Sequence, residues 1–195
     1  WGNIIPSGDA SIRVGKLHLT HVGYAVTIIG FYLFPLIFFF KEFSQILVSK
    51  FFEQKINIYL LLLPIVYIII NIFFLDLHQD TGIGKGYIFK LSNIVFGLSI
   101  YQKIFIYFSF LITWVILIFT FQKKIINILI FSYFLILSIF TWPLLQEYFD
   151  PLIFILAFTF FKFDLKINYK NSIFIFCYMG LFLIASNIYY NNLLN

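Results

Sequence analysis

Three polar segments in an otherwise apolar chain carry the residue types best suited to chemistry. The first runs from Trp1-Gly2-Asn3-Ile4-Ile5-Pro6-Ser7-Gly8-Asp9-Ala10-Ser11 through Arg13 and Lys16 to His18 and His21. Its glycines and proline mark a loop. An arginine offers a fork of donors matched to phosphate, and a carboxylate accepts from hydroxyls. Asp9, Arg13 and His18 can therefore hold a phosphate and sugar hydroxyls together. The plain alternative is a polar loop whose histidines sit at a membrane interface.

The second segment is Asp76-Leu77-His78-Gln79-Asp80-Thr81-Gly82-Ile83-Gly84-Lys85-Gly86-Tyr87. Its Gly82-Ile83-Gly84-Lys85-Gly86 run departs from the P-loop spacing and follows no strand, so nucleotide binding is rejected. The glycines are read as a turn that lets backbone approach a ligand or a helix. Asp76, His78 and Asp80 alternate as metal ligands can, but three groups on one short loop do not define a metal site, and none is assigned. The third segment is Trp142-Pro143-Leu144-Leu145-Gln146-Glu147-Tyr148-Phe149-Asp150-Pro151. Ionisable groups at membrane depth are costly and point to function, which favours a role for Glu147. For Asp150 the preferred reading is structural, a cap on a helix that Pro151 starts.

Something must position these groups, and composition names it. Hydrophobic residues make up 62% of the 195 and charged residues only 11%, with a mean hydropathy of +0.99. A soluble domain carries roughly 25% charged residues. Too little polar surface remains to cover a globule in water, so the expected fold is all-α, a polytopic transmembrane helix bundle. Apolar windows predict about six spans, at 21–40, 58–75, 104–121, 125–145, 148–163 and 173–190. No internal repeat is evident. Residues 1–195 read as a single transmembrane domain. A first residue of Trp1, with no secretion signal in 1–16, reads as the C-terminal part of a longer chain. The single Cys177 excludes an intrachain disulfide.

Alternating crossings put Lys41, Lys50, Lys55, Lys123, Lys124, Lys162, Lys166 and Lys170 on one side. Arg13, Lys16, Lys85, Lys90 and Lys103 fall on the other. The positive-inside rule makes the first side cytoplasmic. The net charge of +5 is then a topology signal, and nucleic acid is excluded as a partner. All three histidines and five of the eight carboxylates fall on the external or luminal side.

The segment Gly8-Asp9-Ala10-Ser11, followed by Leu17-His18, resembles a loop of the dolichyl-phosphoglucose-dependent α-1,2-glucosyltransferases. These belong to the polytopic C-type glycosyltransferases, which take sugars from polyprenyl phosphate. Trp1-Gly2-Asn3-Ile4-Ile5 is similar to the run before that loop. Leu144-Leu145-Gln146-Glu147-Tyr148-Phe149-Asp150-Pro151 resembles the family's late Leu-Glu-x-Arg-Tyr-x-x-x-Pro segment. The chain departs from the family at Asp76-Leu77-His78-Gln79-Asp80, where Asp-Asn-Arg-His-Tyr is usual, and lacks the Arg before Tyr148. The resemblance implies a hexose, glucose among the choices, displaced with inversion from a polyprenyl (dolichyl) phosphate sugar donor onto a lipid-linked oligosaccharide or other acceptor. It implies no cofactor, and a catalytic carboxylate upstream of Trp1. Asp9, Arg13, His18, His78, Lys85 and Glu147 are then the substrate-binding set, with Lys16 a further phosphate contact. The membrane is the endoplasmic reticulum in a eukaryote or the inner membrane in a bacterium. The competing classes are a polytopic transporter and a structural membrane subunit; matched Gly/Pro interruptions and mid-span charges, which a transporter would favour, are lacking.

Overall fold

A computed structural model describes residues 17–37, 58–74, 86–121, 124–141, 144, 149–161 and 168–194. Every regular element among them is an α-helix, and there is no strand. The helices are α1 (Thr20–Ile37), α2 (Ile58–Phe74), α3 (Gly86–Phe96), α4 (Ile100–Phe121), α5 (Ile125–Phe140), α6 (Asp150–Thr159) and α7 (Tyr169–Leu194). Two stretches, Ile100–Phe121 and Tyr169–Ile188, are long and apolar enough to cross a membrane. Thr20–Leu36, Leu62–Phe73 and Ile125–Phe140 are apolar but shorter.

The windows read from sequence locate most of these helices. α2 and α4 match their spans closely, with α4 beginning four residues early at Ile100. Three differences are informative. Residues 76–103, read as one connection, contain α3. Lys90, Ser92 and Asn93 break its apolar run, so no span-length window detects it. α5 stops at Phe140 rather than near 145, because Thr141 turns to extended backbone (φ −86°, ψ 125°) two residues ahead of Pro143. Asp150 is not the cap of α6: it is the first helical residue, and Phe149 is the N-cap.

The chain divides into two units, Trp1–Tyr32 with Ile56–Lys162, and Leu33–Lys55 with Phe163–Asn195. In the first, α1 is the most enclosed element. Tyr24, Ala25, Val26, Ile28 and Ile29 are buried in succession, more than one helical stripe can supply, so neighbours surround it. Gly30 makes this possible, since a Cβ there would collide with the Thr113 side chain of α4. The directions follow from ring contacts and hydrogen bonds. Trp114 Nε1 donates to the Leu60 carbonyl at 2.8 Å, and Tyr67 and Phe110 have centroids 5.1 Å apart, so α2 and α4 run antiparallel. Phe131 of α5 touches Trp114 and Phe121 (5.6 and 5.3 Å), just across the 122–124 connection from α4.

α3 and α4 form a hairpin. Gly97, at φ +61°, makes the turn between them, and its N–H donates to Asn93 O at 2.9 Å. Tyr87 meets Phe31 and Phe89 meets Tyr24, so α3 runs against α1 and starts well inside its length. α6 also starts inside: Phe149 lies beside Phe134 of α5, and Phe161 stacks on Phe121 at the end of α4. In the second unit, Phe34 and Phe174 both contact Tyr178.

Candidate functional site

The start of α1 and the end of α5 meet at one end of the first unit, and the helix directions put the start of α4 and the end of α2 at that same end. His18 N–H donates to Ile139 O at 2.9 Å, which ties the start of α1 to the last turn of α5. His21 N–H donates to His18 O at 3.0 Å, closing a turn that brings the two imidazoles together. The rings stack at 4.8 Å between centroids with planes 14° apart. His21 is 2% exposed, and its Nδ1 lies 2.8 Å from Thr141 O. A carbonyl only accepts, so Nδ1 carries the proton and, in the neutral ring, Nε2 is the acceptor.

Tyr67 fastens α2 to the same turn. Its hydroxyl accepts from Gly23 N–H at 2.9 Å and donates toward the carbonyls of Leu19 (2.9 Å) and Thr20 (3.1 Å). One helical turn further on, Asn71 is fully buried and its Nδ2 donates to Tyr67 O at 2.8 Å. Gln102, in the first turn of α4, is also fully buried. Among the described residues, Asn71 Oδ1 and both Nε2 and Oε1 of Gln102 have no hydrogen-bond partner. Ser92 of α3 is enclosed as well, with its hydroxyl bonded to Phe89 O.

Of the substrate-binding set read from sequence, His18 alone lies among the described residues, beside His21 and the end of α5. Asp9, Arg13, His78, Lys85 and Glu147, like Lys16, lie outside the described residues. Tyr67, Asn71 and Gln102 were not singled out in the sequence. Their signal was present: amides inside or beside apolar windows are expensive at membrane depth. What the windows lacked was phase, since helices apolar on every side do not reveal which face turns inward. No group of three or more metal-binding side chains occurs among the described residues.

The assembled groups can bind hydroxyl or amide groups and relay a proton through an oriented imidazole. None of the described members is a carboxylate, lysine or arginine, so this end of the bundle reads as a polar binding end rather than a fixed charge centre. Comparison with known proteins gives no match: no family model, no curated protein and no solved structure matches the chain.

Proposed function

We propose that the chain is an integral membrane protein of about six crossings and part of a glycosyltransferase. In this reading it transfers a hexose from a polyprenyl-phosphate donor to a lipid-linked glycan or other acceptor at the external or luminal face. The observation that carries it is the gathering of His18, His21, Tyr67, Asn71 and Gln102 at one end of a strongly apolar helical unit. A donor with a lipid tail and a polar head needs such an arrangement, with apolar walls for the tail and hydrogen-bonding groups where the sugar sits. Asp9, Arg13, His78, Lys85 and Glu147 belong, by alternation of the crossings, to the same side. In this reading α1, α2, α4, α5, α6 and α7 are the six crossings.

The test is sugar transfer by membranes that carry the protein expressed from its complete coding region. The probe is radiolabelled dolichyl-phosphoglucose with a lipid-linked oligosaccharide acceptor. The expected result is labelled acceptor, lost in Asp9→Ala, His18→Ala and Glu147→Ala variants that still reach normal levels. Wild-type membranes that transfer no glucose or other hexose, or variants that transfer as well as wild type, overturn the reading.

One observation favours a transporter as the second reading. α3 and α6 are short and start beside Phe31 and Phe134, within the length of their neighbours. Half-helices whose N-termini lie inside a bundle are a device of solute and ion sites. Concentrative uptake of an anionic solute into proteoliposomes, with no sugar transfer, would select it.

A further inference from the structure

A polar side chain sealed from solvent with unused hydrogen-bonding groups forfeits its hydration with nothing in return, so each instance calls for an occupant. Asn71 and Gln102 are two such side chains, both at 0% exposure. Helical phase brings them to one place. Thr113, which meets Gly30 of α1, lies about three turns beyond Gln102 on the same side of α4. α1 and α4 run in the same direction, so three turns back from Gly30 places Gln102 at the level of Leu19. Asn71 follows Tyr67 by one turn on the inward stripe of α2 that also carries Pro64. Tyr67 bonds to the carbonyls of Leu19 and Thr20 and packs on Phe110. With α2 antiparallel to α4, one turn past Tyr67 corresponds to Ile106, a single turn short of Gln102. Both amides therefore converge on the first turn of α1.

We propose that Asn71 and Gln102 form a binding site for a neutral hydroxyl group, held where α1, α2 and α4 meet. The free set comprises two carbonyl acceptors and one amide donor group. A hydroxyl donates one hydrogen bond and accepts others, so it satisfies both kinds. An anion would face the two carbonyl oxygens, and a cation would face the amide hydrogens. A bound water and a sugar hydroxyl share the required chemistry. The sugar source rests on the glycosyl-transfer reading, and the water source does not.

The experiment uses the full-length protein in detergent micelles, with two measurements. Thermal unfolding is followed as methyl α-D-glucopyranoside is added, for wild type and for the Asn71→Leu/Gln102→Leu double variant. A sugar hydroxyl raises the wild-type Tm progressively with concentration and leaves the double variant unmoved. Cross-relaxation from the Gln102 side-chain amide to water is read on wild type alone, with the amide assigned by its loss in Gln102→Leu. A long-lived water contact with no sugar-dependent Tm shift assigns the hydroxyl to water and leaves the site intact while removing its sugar role. No Tm response together with no water contact overturns the proposal, and so does an equal Tm rise in both proteins. Should the double variant fail to fold, the wild-type water measurement and the single Asn71→Leu variant still decide the matter.

Discussion

α1 and α7 are both strongly apolar helices, yet they live in opposite surroundings. From Gly23 to Gly30 the residues of α1 are buried without interruption, and its first turns are fastened by Tyr67 and by the end of α5. α7 has no buried residue among those whose side chains are described, and Phe176 is 81% exposed. In water a helix like α7 would aggregate, and exposed apolar area of that extent marks a surface meant for lipid or protein. The lesson is that an apolar residue here is stabilising only where it is packed. In the proposed membrane setting lipid tails are as apolar as leucine, so burial against a neighbour adds contact and fit rather than removal from water.

That contrast can be broken by substitution. The largest effect is expected at Phe110, whose ring lies between Tyr67 and Trp114. Phe110→Ala should cost about 3–5 kcal/mol by loss of packing, whereas Phe176→Ala should leave unfolding in mild detergent unchanged. Equal losses would mean that α7 is covered as fully as α4. Next comes a pair of glycines. A side chain at Gly30 meets Thr113, but one at Gly180 meets nothing within 4 Å. Gly30→Leu should destabilise by about 1–3 kcal/mol through overpacking, and Gly180→Leu should be neutral. A Tm drop at position 180 instead would reveal a partner seated on that face. The smallest effect is expected at Tyr67→Phe, which removes the hydroxyl shared by Gly23, Leu19 and Thr20. About 1 kcal/mol is the scale for such a bond. Amide exchange at Gly23, measured against wild type, should quicken if the hydroxyl is what protects it.

Much of the architecture was legible because helix formation in an apolar chain is a local matter. The windows at 58–75 and 104–121 nearly coincide with α2 and α4, whereas the window at 125–145 ran through Pro143, past the end of α5 at Phe140. α3 escaped because its Lys90, Ser92 and Asn93 look like a connection until the Gly97 turn folds the segment against α4. Asp150 misled for a related reason: capping depends on backbone angles at one residue, and residue preference does not report them. At the site, His18 was readable as a polar residue bordering a span. Its stacking on His21 and the tie to Ile139 were not, because they join residues far apart in the chain.

Composition and spacing alone thus determined the helical class and the approximate places of the helices. These follow from hydrophobicity summed over a window, which needs no knowledge of neighbours. Only the tertiary structure decided that α1 is enclosed, that α3 and α6 start within the bundle, and that Asn71 and Gln102 are fully buried. A helix that is apolar all round has no preferred face of its own. Its orientation is set by small residues such as Gly30 that allow close approach, and by the few polar groups that must find partners inside.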